Sequence, residues 1–375
     1  MKGRIRIRLS VCVLSGLVVC LTPILIFLEI SIDNLSSQYN QKDDDISRQR
    51  LSSKRNYVTV ILPSVVNQKG RIRRLQAISQ TWGSDAGQIV VTDEDTIIPP
   101  DAHTEHPPIV VPNAVAKPNE GVPRLKFVIS QVHNLYDPEF AFFVNDHTFV
   151  IPDHVSKFLE LQKHRDPSQH LYAGHALKSK NSEYAFNSGA SGYLLSRHTM
   201  ETLISKWESG DELCDSNNKF IQGNPGLILA QCLHSIGVDP IDTRDNFYRH
   251  KFHAFGIIRE TKLEVDEWYL NKHEGLSDIL GKDLKYDHKL QKGEECCSHD
   301  TISFHYVEYK ETLALFAILE KLRLSPDISD EDLKRFVVEK WPVEKKDIGG
   351  YAHNLPPLKK KEVWCDFLKV LRNIA

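Results

Sequence analysis

Apolar residues in this chain change their period several times, and each change marks an element. Tyr57 to Leu62 (YVTVIL) is a short β-branched run, the signature of a strand. Pro63 to Gly70 reads as a loop. From Arg71 to Trp82 the apolar positions Ile72, Leu75, Ile78 and Trp82 recur at helical spacing. Ile89 to Val91 is a second strand that ends in Thr92-Asp93-Glu94-Asp95. Strand, helix and strand in that order predict a mostly parallel, doubly wound α/β sheet. Residues 96–123 are rich in proline, show little period and read as a long loop. Leu125, Val128, Ile129, Val132 and Leu135 mark the next helix, and Phe140 to Val144 is a buried strand running straight into Asn145-Asp146-His147. Val155, Phe158 and Leu159 predict another helix.

The same reading predicts helices over 197–207, 226–236 and about 311–323, and a strand over 302–307. Two short amphipathic helices surround Phe336 and Phe367. The expected organisation is one domain over 57–323 and a helical C-terminal extension over 324–375.

Ahead of that domain the pattern differs. Leu9 to Leu28 carries no charge, and at ~1.5 Å per residue it spans roughly 30 Å, one bilayer core. Lys2, Arg4, Arg6 and Arg8 precede it, so residues 1–8 read as a cytosolic tail and 9–28 as a transmembrane anchor. A cleaved signal peptide is the rival reading. It needs a shorter apolar region and a small-residue cleavage site, and Glu29 to Asp33 does not look like one. Residues 29–56 are polar and read as a stem. This plan describes a type II membrane protein with a luminal domain, common to Golgi (or ER) enzymes and to some receptors.

Composition narrows the class. Hydrophobic residues make up 41% of the chain, enough for a packed core, and the formal net charge of -3 argues against a nucleic-acid partner. Neither GxGxxG nor GxxxxGK occurs, so no dinucleotide or phosphate-loop fingerprint is present.

Candidate chemistry lies where the strand 140–144 ends, because open parallel sheets bind ligands outside the carboxyl ends of their strands. A transferase using a nucleotide sugar would place a divalent ion there to balance the leaving diphosphate. A polar turn after a core strand is the plainer alternative. Phe186 to Ser196 (FNSGASGYLLS) is a small-residue loop, which lets backbone approach a ligand closely. Arg244-Asp245 precedes Phe252-His253, and Cys296-Cys297-Ser298 precedes Ser303-Phe304-His305-Tyr306-Val307.

Taken in order, with Thr81-Trp82 ahead of them, these segments resemble glycosyltransferase family 31, and within it the core 1 β1,3-galactosyltransferase branch. The Cys-Cys-Ser and Ser-Phe-His-Tyr-Val segments match without change. The resemblance covers about residues 57–323 and implies a GT-A fold, a Rossmann-type sheet with a nucleotide-sugar site at the strand ends. It implies UDP-galactose as donor, an O-linked GalNAc glycoprotein as acceptor and Mn²⁺ as cofactor. Asn145, Asp146, Arg244 and Asp245 take the donor-binding positions, and Asp146, His147 and His305 the metal positions, His147 standing where the family has an aspartate. Cys214 and Cys232 match cysteines of the family and are expected to be linked in an oxidising lumen.

One departure bears on activity. The family carries an acidic pair seven and six residues before the cysteine matching Cys232, and those positions are Pro225 and Gly226 here. An inverting transferase needs a carboxylate to take the acceptor's proton. Asp211, Glu212 and Asp215 lie upstream of the gap. Segments such as Asp166-Pro167-Ser168-Gln169 and Gly174-His175 are closer to the family's non-catalytic chaperone for a core 1 galactosyltransferase. Enzyme and pseudoenzyme therefore both stand, the second with another galactosyltransferase chain as partner.

Overall fold

A computed structural model describes residues 56–63, 68–94, 106–116, 120–161, 166–178, 183–214, 225–262, 267–274, 291–341 and 361–375. The expected tail, anchor and nearly all of the stem fall outside them. Among the described residues no helix is long and apolar enough to cross a membrane.

The chain opens with β1 (Tyr57–Leu62), α1 (Gln68–Ser79), β2 (Gln88–Asp93), β3 (Ile109–Val111), α2 (Gly121–Tyr136), β4 (Phe140–Asn145) and β5 (Phe149–Val150). There follow α3 (Pro152–Leu161), β6 (Tyr172–Gly174), β7 (Ala176–Leu177), β8 (Phe186–Asn187), β9 (Tyr193–Ser196), α4 (Arg197–Glu208) and α5 (Pro225–Ser235). The last part holds β10 (Phe252–His253), α6 (Ile257–Lys262), α7 (Glu267–Glu274), β11 (Ser303–Phe304), α8 (Tyr309–Leu324), α9 (Asp330–Lys340) and α10 (Lys361–Ile374).

Six strands form the main sheet in the order β3-β2-β1-β4-β9-β6. The pairs from β3 to β4 are parallel, while β9 runs antiparallel to both β4 and β6. The expected mostly parallel α/β sheet is present, with β9 its antiparallel member, and its topology is compatible with a Rossmann-like fold. Both faces of β1 and β4 are covered, which explains their unbroken apolar runs. Tyr57, Ile61, Phe140, Phe142 and Val144 pack into one core, and Val58, Val60, Ala141 and Phe143 into the other.

Two departures from the pattern have physical causes. β3 lies inside the expected loop, where three apolar residues sit between Pro108 and Pro112. Proline donates no ladder hydrogen bond, and a short edge strand tolerates it at its ends. The first helix stops at Ser79 instead of reaching Trp82, and a 3₁₀ turn takes over from Trp82 to Asp85. Thr81 donates its hydroxyl back to the Ala77 carbonyl at 2.6 Å, closing that end. Ile72, expected on the buried face, is exposed, while Arg71 and Arg74 are buried. The expected strand over 302–307 contracts to β11, which sits between β10 and β5 in a small three-stranded sheet.

The helices expected around Phe336 and Phe367 are α9 and α10. Leu333, Val337, Trp364, Phe367 and Leu371 belong to the same core as Tyr57 and Phe142. Ser329 caps α9 by accepting from the Asp332 backbone N–H, with three acidic residues in the first turn to complement the helix dipole.

Candidate functional site

At the carboxyl ends of β1 and β4 lies a cavity of about 300 Å³. Leu62, Pro63, Val144 and Asn145 form its floor, and Gly121, Arg124 and Leu125 come from the first turns of α2. Gly189 closes it from the β8–β9 turn, Tyr193 from the start of β9, and Pro225 and Gly226 from the start of α5. Its volume suits a small organic ligand, and its walls are mainly apolar with a few convergent polar groups.

Arg124 is the charged residue among the described lining. It pairs with Asp93 at the end of β2, and Arg71 of α1 approaches the same carboxylate at 3.8 Å. Burial, then repulsion from Arg71, brings the Arg124 guanidinium down to about 10, so it remains protonated at neutral pH. A second ion-pair group lies beside the first. Arg74 reaches Oδ2 of Asp146 through Nε and Nη2, each at 2.9 Å, and its Nη1 approaches Glu308 at 3.8 Å. Glu308 caps α8 in a capping box with Glu311 and also faces His147 Nδ1 at 3.3 Å. His147 and Arg74 hold the Glu308 carboxyl below the usual carboxylate range despite its burial. Arg71, Arg74, Arg124 and Glu308 were not singled out by sequence. Their one signal is the basic cluster Arg71-Ile72-Arg73-Arg74 after the first strand, which ordinarily marks a solvated face.

The expected metal residues come near one another without forming a ligand set. The Asp146 side chain is fully buried against Arg74. The His147 and His305 ring centroids stand 6.2 Å apart. His305 Nδ1 lies 3.3 Å from Thr148 Oγ1, and burial, aided by His147, lowers its pKa to about 3, so the ring is neutral. Among the described residues no group of three or more His, Cys, Asp or Glu is close enough to hold a metal ion. The residues present do not fit Mn²⁺ as arranged, since Arg74 already supplies the positive charge that Asp146 faces.

The expected donor residues are divided. Asn145 lines the cavity. Arg244 and Asp245 lie instead in a turn after Ile241: Arg244 makes a two-point pair with Asp242, and Asp245 pairs with Arg249 at 2.8 Å. Pro225 and Gly226, the positions of the family's acidic pair, do line the cavity. They bring no carboxylate to it. Of the upstream carboxylates, Asp211 is bound to Lys206 at 2.9 Å, Glu212 is exposed, and Asp215 lies outside the described residues.

The small-residue loop serves two purposes. A Cβ on Gly189 would meet nothing within 4 Å, so that position faces open space. Gly192 has φ +81°, and a Cβ there would meet Phe142 and Val144 side chains at 2.8 Å. Glycine at 192 thus answers to packing of β9 on β4 and to a left-handed backbone, not to a ligand. Cys214 and Cys232 are disulfide-bonded, as the resemblance implied. Cys296 and Cys297 form a second, vicinal disulfide, and Cys365 is free and exposed.

No family model matches the chain. Over 201 residues it is 24% identical to glycoprotein-N-acetylgalactosamine 3-beta-galactosyltransferase 1 of Xenopus laevis, an alignment covering 52% of this chain and 49% of that protein. The chain thus spans about half the length of this relative.

Proposed function

We propose that this chain is a glycosyltransferase with a GT-A-type domain, transferring galactose with inversion from UDP-galactose to O-linked GalNAc on a glycoprotein in the Golgi or ER lumen. The observation that carries the reading is the similarity to a galactosyltransferase, in a chain whose ligand-sized cavity lies at the carboxyl ends of parallel strands. In this reading the cavity holds the reacting sugars. Asn145 offers amide hydrogen bonds to hydroxyls, and Arg124, fixed by Asp93, faces the electron-rich oxygens of the donor. No step is assigned to a metal ion.

Pro225 and Gly226 favour a second reading. An enzyme without a positioned base is slowed by roughly 10²–10⁴-fold. A pseudoenzyme would keep the cavity and the fold, lose the carboxylate, and act by assisting a catalytic galactosyltransferase chain. The deciding experiment incubates the full-length chain with UDP-galactose and a GalNAc-bearing peptide, and follows disaccharide formation by mass spectrometry. Transfer retained in a Cys365→Ser control, at an exposed residue outside the cavity lining, and lost in Asn145→Ala supports the transferase. Undetectable transfer, together with a fall in a partner galactosyltransferase when this chain is deleted from cells, overturns it in favour of the pseudoenzyme.

A further inference from the structure

Thr243 to Arg249 forms a tight turn whose tip presents two aromatic rings to solvent. Phe247 is 67% exposed and Tyr248 40% exposed. The turn is rigidly built. Asp245 accepts from the backbone N–H groups of Phe247 and Arg249, both near 3.0 Å, and Arg249 returns a side-chain hydrogen bond to it. Gln291 donates to the Phe247 carbonyl at 3.1 Å. Each ring has a guanidinium over one face, Arg249 on Phe247 at 4.9 Å and Arg244 on Tyr248 at 5.1 Å. Tyr248 has φ 63°, a left-handed backbone that is an outlier for a bulky side chain. Such an outlier persists only where the surroundings enforce it, and it motivates a functional hypothesis.

The turn lies at the substrate end of the sheet. Ile241 bridges Ala173 in parallel, and the Thr243 hydroxyl donates to the Gly174 carbonyl at 2.8 Å. Gly174 pairs with Tyr193, which lines the cavity. One strand therefore separates the turn's anchor from the cavity wall.

Its charges cancel locally, Asp242 with Arg244 and Asp245 with Arg249. A neutral surface offering aromatic faces selects a neutral ligand with a flat, weakly positive C–H face. Sugar rings have that character, and aromatic faces carry the complementary negative potential. We propose that Phe247 and Tyr248 form a stacking platform for a sugar ring of the acceptor glycoprotein. This rests on the transferase reading above for the kind of acceptor.

The test measures binding of a peptide carrying one GalNAc, and of the same peptide without the sugar, to the full-length chain by saturation-transfer NMR and titration. Saturation should reach the sugar protons, and the bare peptide should bind at least tenfold more weakly. Phe247→Ala should weaken the glycopeptide roughly tenfold and Phe247→Trp should restore it, with UDP binding unchanged in both. Tyr248→Asn suits the left-handed backbone, so it should weaken glycopeptide binding while raising or preserving thermal stability. A role in folding alone would lower stability instead. Unchanged glycopeptide affinity in Phe247→Ala, or equal affinity for the bare peptide, overturns the platform. Sugar-dependent binding lost in Phe247→Ala, in a wild-type chain that transfers no galactose, supports the platform and sinks only the transferase reading.

Discussion

Arg74 is held from two directions, by Asp146 at the end of β4 and by Glu308 at the start of α8, and its side chain is 2% exposed. Removing one partner of a buried pair leaves the other charge without compensation, which costs about 3–5 kcal/mol. Arg74→Met should therefore lower unfolding free energy by about that much in urea denaturation. Arg74→Met combined with Asp146→Leu should recover part of the loss, because one of the two buried carboxylates that Arg74 compensates is then removed, while Glu308 still faces His147. Asp146 has a structural duty as well, so loss of activity in Asp146→Ala says nothing of ligand binding unless folding is measured alongside. His175 is buried with both ring nitrogens engaged, Nδ1 with the Phe252 carbonyl at 2.8 Å and Nε2 with the Tyr269 hydroxyl at 2.7 Å. Burial pushes its pKa down to about 4. The unfolded chain takes up a proton near the ordinary value of about 6.5, so it binds more protons than the folded state below that pH. Stability from this group is complete above about 6.5 and is lost as pH falls toward 4, with a limiting slope of about 1.4 kcal/mol per unit. His305 acts with the same sign. His175→Gln should flatten the decline of unfolding free energy over pH 6.5–4 by one proton's worth, read from denaturation curves at stepped pH.

Among the elements, α5 depends most on a covalent constraint. It starts with Pro225, suited to a first helical turn because its missing N–H would be unpaired there. The Cys214–Cys232 disulfide ties it to the turn after α4, over a sequence separation of 18. In the chain-entropy model such a loop contributes about 3 kcal/mol. Replacing both cysteines by alanine should lower stability by roughly that amount, and non-reducing peptide mapping of the wild type should recover the two joined. The long elements, β1, β4, α2, α4 and α8, were legible because each repeats its period often enough to exceed chance. β5, β7, β8, β10 and β11 were not, or only in part. Each holds two residues, too few to show a period; β5, β10 and β11 are paired by partners brought from far along the chain, while β7 and β8 pair with each other.

For the molecule as a whole, the C-terminal helices are core components. Trp364, Phe367, Leu368 and Leu371 of α10 are each less than 5% exposed, and burial of side chains of this size is worth about 1.5–3 kcal/mol apiece. A chain ending at residue 360 should lose cooperative thermal unfolding, followed by circular dichroism, whereas Cys365→Ser should melt as the wild type does. The sequence by itself determined the α/β class, the order of the main elements and the strand that delivers Asn145, while the pairing of Cys214 with Cys232 came only from the resemblance to the family. Those properties follow from local period, local turn chemistry, or residue types at quoted motif positions. Tertiary structure alone decided that Arg71 and Arg74 turn inward to meet Asp93, Asp146 and Glu308. It decided too that Pro225 and Gly226 line the cavity with Asn145 while Arg244 and Asp245 stand apart. An arginine's burial depends on a carboxylate that chain closure brings to it from 20 or more residues away, and no local pattern records that distance.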